Sequence, residues 1–77
     1  MSIYNTVQRK SVLLFLNMHS DKDMTVHEIS EGIKNEESIV KIPSESTIYR
    51  IMNSFTELGI TQRTIDNKRE YRYRLCR

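Results

Sequence analysis

The chain has 77 residues and a formal net charge of +2, which predicts one small domain. A domain of this size buries only about 60% of its unfolded surface, so a deep catalytic cleft is hard to build and an enzyme is disfavoured. The single cysteine excludes an intramolecular disulfide and a zinc site held by paired cysteines. Since no apolar run approaches the roughly 18 residues of a membrane span and the start lacks signal-peptide features, we expect a cytoplasmic protein.

The charge is unevenly distributed along the chain. Residues 1–59 carry six Lys or Arg and eight Asp or Glu, a balance of −2, whereas residues 60–77 carry six basic and two acidic residues, a balance of +4. A basic C-terminal segment suits a surface that meets a polyanion. It equally suits a strand edge whose solvated charges discourage aggregation.

The first predicted element is a helix from about Thr6 to Met18, with Thr6 as its N-cap. Apolar residues at helical spacing give this helix a broad face that would pack into the core. The polar stretch 20–23 has no period and predicts a loop. The apolar face comprises Val12, Leu13, Phe15 and Leu16.

A capping box predicts the start of a second helix. Thr25 and Glu28 have the S/T-x-x-E spacing in which each side chain accepts a hydrogen bond from the other residue's amide. The helix would end near Lys34, although Gly32 weakens its last turn by about 1 kcal/mol relative to alanine. Its inner stripe would consist of Val26, Ile29 and Ile33.

A third helix is predicted over about residues 44–58, after an irregular connection (35–43) in which residues 39–42 could be extended. Ser44 is its predicted N-cap, and Gly59 would end it because glycine most easily takes the left-handed conformation. At about 100° per residue, the helix has an apolar and a polar side. The apolar side comprises Ile48, Ile51, Met52, Phe55 and Leu58, and the polar side Ser46, Tyr49, Arg50 and Asn53.

From Gly59 onward the period changes from 3.6 to 2, which predicts a β-hairpin. Ile60 to Ile65 would form the first strand, residues 66–68 the turn and Arg69 to Leu75 the second strand. Three helices and a basic hairpin within residues 1–77 predict a single winged helix-turn-helix domain of the α+β class, whose third helix enters the major groove while the hairpin, or wing, follows the DNA backbone. The second strand would place Tyr71, Tyr73 and Leu75 on one face and Glu70, Arg72 and Arg74 on the other.

Residues 44–63 match the pattern S-x-[AS]-T-[VI]-Y-R-x-[LM]-x-x-[LF]-x-E-x-G-[LI]-x-x-R. In this run the chain resembles the DNA-binding domain of the ferric uptake regulator family. Upstream, residues 6–16 fit the T-x-x-R-x-x-[IV]-L-x-x-L pattern of that family's first helix, and residues 25–29 are similar to the T-A-x-E-[IL] opening of its second. The resemblance covers about residues 4–75, and its T-[VI]-Y-R run is a fairly specific signal.

The resemblance implies a bacterial transcriptional regulator, such as a repressor, that responds to metal or peroxide and binds double-stranded DNA. Physical chemistry supports the implied contacts, because Arg50 can form charge-assisted bonds to a phosphate and Tyr49 can pack on a thymine methyl. Hydroxyls at a helix N-terminus can also bond phosphate oxygens. The expected DNA-binding residues are Ser46, Thr47, Tyr49, Arg50, Asn53, Arg63, Lys68 and Arg72.

Several of these residues also have a purely structural interpretation. Thr47 lies in the first turn of its helix, where a threonine often serves the helix itself. Arg72 and Arg74 could be solvated edge charges. Tyr71 and Tyr73 are expected to pack the wing against the core rather than to stack on single-stranded bases.

The chain departs from the family pattern in its metal ligands. In the family, a C-terminal domain supplies dimerisation and most metal ligands, so a full-length member is expected to bind zinc and a regulatory divalent metal. This chain ends where that domain would begin, and its end suits either a stand-alone module or the edge of a longer protein. We interpret His19 and His27 as surface residues, and we expect no cofactor in this chain and a monomer or weak homodimer.

Three classes of function remain open from the sequence. Sequence-specific binding to double-stranded DNA is favoured, with no membrane partner. The alternative is a winged helix that presents its third helix or wing to an acidic protein, which the modest net charge permits. An enzyme is the least favoured class, because the sequence offers no nucleophile–base pair, no paired carboxylates in a pocket and no glycine-rich phosphate loop.

Overall fold

The computed structural model describes the backbone of residues 3–39 and 42–76, with side chains from residue 7 onward in those ranges. Three helices followed by an antiparallel hairpin give the predicted winged helix-turn-helix of the α+β class. Within those ranges, no helix is both long enough and apolar enough to cross a membrane. The elements are α1 (Ile3–Met18), α2 (Val26–Lys34), α3 (Glu45–Glu57), β1 (Thr61–Ile65) and β2 (Tyr71–Leu75).

Helix α1 begins three residues earlier than predicted. Thr6 therefore lies inside the helix, and its prediction as the N-cap is wrong. The physical reason is that residues 3–5 contain neither proline nor glycine, so nothing stops the helix from continuing towards the N-terminus. The predicted core face is confirmed, with Val12, Phe15 and Leu16 buried and Leu13 partly buried against them.

Helix α2 starts at the predicted capping box. The Thr25 hydroxyl accepts the Glu28 amide at 3.1 Å, and the Glu28 carboxylate accepts the Thr25 amide at 2.9 Å. The helix continues through Gly32 to its predicted end at Lys34. A Cβ at Gly32 would collide with the Phe15 ring, so this glycine lets α1 and α2 approach closely.

Helix α3 has the predicted boundaries, with Ser44 as N-cap and Gly59 at φ 78° beyond its C-terminal end. Four of its five predicted core residues are buried, but Leu58 is 64% exposed because it lies at the C-cap, past the last helical residue. Of the stretch predicted to be extended, residues 40 and 41 lie outside the described ranges. Ile39 is buried and Ile42 is exposed. The confirmed core residues of α3 are Ile48, Ile51, Met52 and Phe55.

The hairpin pairs Thr61 with Leu75 and Ile65 with Tyr71. Strand β2 begins at Tyr71 rather than at the predicted Arg69, because Arg69 has φ 62° and belongs to the turn. Tyr71 is also 40% exposed, since it lies next to the turn and beyond the edge of the core.

Tyr73 ties the wing to the helices. Its side chain is fully buried, and its backbone forms a two-way bridge with Met24 in the α1–α2 connection, at 3.0 and 2.8 Å. This bridge covers part of the second edge of β2, which would otherwise present unpaired amides. The wing is therefore anchored beside α2 and α3 through one central residue.

Candidate nucleic-acid interface

The outer side of α3 carries the polar residues predicted from the sequence. Ser46, Tyr49 and Arg50 are exposed, and Asn53 is half-buried. Helical geometry turns them away from the buried side of the helix. Among the residues that the structure describes, no carboxylate lies within ion-pair distance of Arg50, so its guanidinium is available to a ligand.

The N-terminal turn of α3 is held by its own hydroxyls. Ser44 accepts the amide of Thr47 at 3.3 Å and donates its hydroxyl proton to the Thr47 hydroxyl at 2.9 Å. Thr47 therefore takes part in the cap, which is the structural interpretation suggested by the sequence. Ser46 lies on the exposed surface, with its hydroxyl 3.4 Å from that of Ser44.

A polar contact links the middle of α3 to the wing. The Asn53 side-chain oxygen accepts hydrogen bonds from the Arg63 guanidinium at 3.2 Å and from the Tyr73 hydroxyl at 3.4 Å. The Arg63 guanidinium also lies over the Tyr71 ring, 4.4 Å from its centroid. Because its oxygen is occupied, Asn53 has only its amide N–H groups to offer a ligand.

The two faces of the hairpin differ in their surroundings. Side chains alternate along a strand, so Tyr71, Tyr73 and the cross-strand partner Arg63 share the face that meets α3. Arg72 and Arg74 lie on the opposite face. The sequence predicted this alternation for β2, but it did not predict that Arg72 and Arg74 would pair with carboxylates.

Arg72 is the centre of an ion-pair network on that opposite face. Its guanidinium donates to Asp66 at 3.0 Å, to Glu28 at 3.2 Å and to the Asp23 carbonyl at 3.2 Å. The hydrogen bond to Asp66, followed by the charge of Glu28, raises the pKa of Arg72. Arg74 forms a more distant pair with Asp23, at 3.8 Å. The wing is thus fastened to the start of α2 by arginines whose positive charge is partly neutralised.

The turn at the wing tip is organised by Asp66. One carboxylate oxygen accepts the amides of Lys68 at 2.8 Å and Glu70 at 3.0 Å, while the other accepts Arg72. The Glu70 amide is the main cause of the lowered pKa of Asp66, to which Arg72 and the Lys68 amide add. Lys68 and Arg69 are exposed at this tip.

A shallow groove of about 220 Å³ separates the N-terminal part of α3 from the wing. Tyr49 lines it on the helix side and Tyr71 on the wing side. His27 at the start of α2 lies 3.4 Å from Glu45, the first residue of α3. The wing tip and the exposed face of α3 therefore border one continuous surface.

The histidines have structural surroundings instead of a metal-binding arrangement. His19 stacks against Phe15 with ring centroids 4.6 Å apart, and His27 faces Glu45. Across the described parts of the chain, no three His, Cys, Asp or Glu side chains are placed to hold a metal ion.

Among the predicted site residues, Ser46, Tyr49 and Arg50 lie on the exposed side of α3, and Tyr49 also lines the groove. Arg63 contacts Asn53, Lys68 lies at the wing tip, and Arg72 lies on the other hairpin face. Sequence reasoning missed Arg69, which it placed inside a strand. The signal was the turn itself: a three-residue hairpin loop ends with a residue in the left-handed conformation.

Comparison with known proteins supports this description. The model of the ferric uptake regulator family matches residues 1–77. A solved structure of the ferric uptake regulator from Francisella tularensis with iron is similar, with a TM-score of 0.73 and 25% identity, over 88% of this chain and 49% of that chain. The chain thus spans about half the length of that regulator. A search of curated proteins gave no match.

Proposed function

Since the chain belongs to the ferric uptake regulator family, we propose that it recognises specific sequences in double-stranded DNA, with α3 in the major groove and the wing on the neighbouring phosphates. The family and the fold support the DNA-binding domain of a transcription regulator. We further propose that the regulator acts as a repressor.

The single observation that carries the proposal is the exposure of Tyr49 and Arg50 on a helix whose other side is fully committed to the core. Tyr49 is 45% exposed, and its ring can pack on a thymine methyl while its hydroxyl reaches a base edge or phosphate. Arg50 is free of carboxylate partners in the described ranges and suits a phosphate.

The other predicted site residues are proposed to contact phosphates or to hold the interface in place. Ser46 and the helix amides would bond phosphate oxygens, while Thr47 mainly maintains the N-cap. Asn53 would donate through its amide N–H groups, and Arg63, held by Asn53 and the Tyr71 ring, would meet a phosphate beside the groove. Lys68 would contact the backbone from the wing tip.

Arg72 has a different proposed role from Arg50 and Arg63. To reach a phosphate, it would have to leave both Asp66 and Glu28. We therefore propose that Arg72 holds the wing in place and affects DNA binding through the wing's position.

We propose that residues 1–77 carry neither the metal-binding site nor a tight dimer interface. The Francisella tularensis regulator was solved with iron, but this chain covers about half of that protein. The buried faces of α1 and α3 pack into one small core, although Val7, Leu14 and Met18 of α1 remain exposed. We propose that the chain by itself is a monomer or weak dimer.

The test uses two duplexes: one selected from a random pool for tight binding and one of random sequence. Tyr49→Phe keeps the ring but removes the hydroxyl, so it should weaken binding to the selected duplex and leave the random duplex nearly unaffected. Arg50→Ala should weaken both duplexes together and make the salt slope shallower by about one unit. Both variants should melt like the parent, because neither side chain is part of the core.

Lys34→Ala provides a charge-matched control. Lys34 is exposed at the end of α2 and pairs with Glu31, away from the proposed surface. It should bind both duplexes like the parent. The proposal fails if the folded Tyr49 and Arg50 variants also bind both duplexes like the parent.

A further inference from the structure

We propose that the tip of the wing supplies two DNA-contacting cations, Lys68 and Arg69, with Arg69 bonding a backbone phosphate, and that the strand arginines Arg72 and Arg74 do not contact DNA. This inference rests on the proposed function and specifies it. It adds Arg69 to the interface and reassigns the strand arginines to holding the wing.

The backbone of Arg69 is the first observation. Its φ of 62° lies in the left-handed region, where residues other than glycine, asparagine and aspartate are uncommon. The position follows a tight turn closed by the Arg69 amide donating to the Asp66 carbonyl at 3.0 Å, and glycine is the usual residue there. At Gly59, which is also left-handed, the chain uses glycine. An arginine kept in a strained conformation indicates a role for its side chain.

The turn is also rigidly built, which lets it present a side chain in a fixed position. The Asp66 carboxylate accepts two amides of the turn, and the Asp66 amide donates to the Glu70 carbonyl at 3.0 Å. Such an arrangement holds the tip without help from the Lys68 or Arg69 side chains. A preorganised contact loses less entropy on binding.

The distribution of charge partners is the second observation. Arg72 and Arg74 are paired with carboxylates, and Arg63 is held by Asn53 and Tyr71. Within the described ranges, neither Lys68 nor Arg69 has a side-chain hydrogen bond or ion pair. Lys68 and Arg69 therefore keep positive charges that no ion pair neutralises in the described ranges, whereas much of the charge of Arg72 and Arg74 is compensated.

The position of the tip completes the reasoning. Glu70 and Tyr71 line the same groove as Glu45 and Tyr49, while Lys68 borders a second depression with His27 and Glu28. The tip therefore lies near the N-terminal ends of both α2 and α3. A major groove is about 12 Å wide and is bounded by phosphates. When α3 lies in the groove, a cation beside its N-terminal part meets the bounding backbone.

Arg69→Gly tests the inference, because it removes the charge and relieves the backbone conformation at once. The melting temperature should be unchanged or higher. Each neutralised phosphate contributes a salt slope of about −0.9, so losing one contact should weaken binding about eightfold at 0.1 M salt, to the selected and the random duplex alike. Arg69→Asn, which also tolerates the left-handed conformation, should give the same result.

Arg74→Ala is the matched control, since it removes the same charge from the same hairpin. It should retain the parent's salt slope and lose less than about twofold in affinity. The inference is overturned if Arg69→Gly keeps the parent's affinity and slope, if it lowers the melting temperature, or if Arg74→Ala shows the larger loss.

The failure of this inference can be distinguished from the failure of the proposed function. If the parent binds duplexes and Arg50→Ala weakens them while Arg69→Gly does not, only the inference fails. If the parent binds neither duplex, the proposed function fails and the inference with it.

Discussion

Loss of the Ser44 cap should measurably destabilise the helix proposed to read DNA. Ser44 has an extended backbone, with φ −68° and ψ 161°, and its hydroxyl accepts the Thr47 amide at 3.3 Å. Replacing an N-cap serine with alanine costs about 1 kcal/mol. In a domain of this size, that corresponds to a melting temperature lower by about 4–8 °C.

Three variants separate the cap from other effects of the substitution. Ser44→Ala should show the full loss in thermal denaturation followed by circular dichroism. Ser44→Asp should melt within about 2 °C of the parent, because aspartate caps as well as serine. Ser46→Ala removes only the 3.4 Å hydroxyl contact with Ser44 and leaves the bond to the Thr47 amide in place, so it should melt within about 2 °C of the parent.

DNA binding should distinguish Ser44→Asp from the parent even though thermal stability does not. The carboxylate of Ser44→Asp would stand at the end of α3 that is proposed to face phosphates, so this stable variant should bind duplex DNA more weakly than the parent. The reasoning is refuted if Ser44→Ala melts like the parent. It is also refuted if Ser44→Asp is as destabilised as Ser44→Ala.

Three further outcomes are expected. Asp66 has a lowered pKa in the folded chain, so its stabilising effect should be complete above about pH 5 and lost as pH falls below 3.8; Asp66→Asn should flatten this acid dependence in denaturation midpoints. Sedimentation at micromolar concentration should show a monomer or weak dimer. A tight dimer would contradict the proposal that the apolar faces of α1 and α3 serve the domain's own core. Titration with Zn²⁺, Fe²⁺ or Mn²⁺ should change neither the melting temperature nor duplex affinity, and stoichiometric submicromolar binding would contradict the expectation that this chain holds no metal.

The helices were predictable because their signals are local. The Thr25–Glu28 capping box and the Ser44 cap fix where two helices begin, and Gly59 marks where the third ends. The N-cap prediction for Thr6 was wrong because a good capping residue marks the start of a helix only where the preceding residues prefer another conformation. The prediction that Leu58 is a core residue was wrong because the apolar spacing continues past the last helical turn, whereas the core ends before it.

The exposed polar side of α3 was predictable from the sequence, but the contacts of the wing residues were less so. Alternation correctly separated Tyr73 from Arg72, yet it could not show that Arg72 would meet Glu28, which is 44 positions away in sequence. Arg69 was assigned to a strand because a left-handed residue after a turn is normally glycine. Contacts between distant segments and unusual backbone conformations need the folded structure.

The salt dependence of duplex binding tests the central claim most directly. Four cations without a carboxylate partner in the described ranges border the proposed surface: Arg50, Arg63, Lys68 and Arg69. If each neutralises one phosphate, fluorescence anisotropy with the selected duplex should give a slope of log K against log[salt] of about −3.6. A flat dependence, or binding to an acidic peptide with no binding to duplex DNA at low salt, would contradict the account and favour a protein-interaction module.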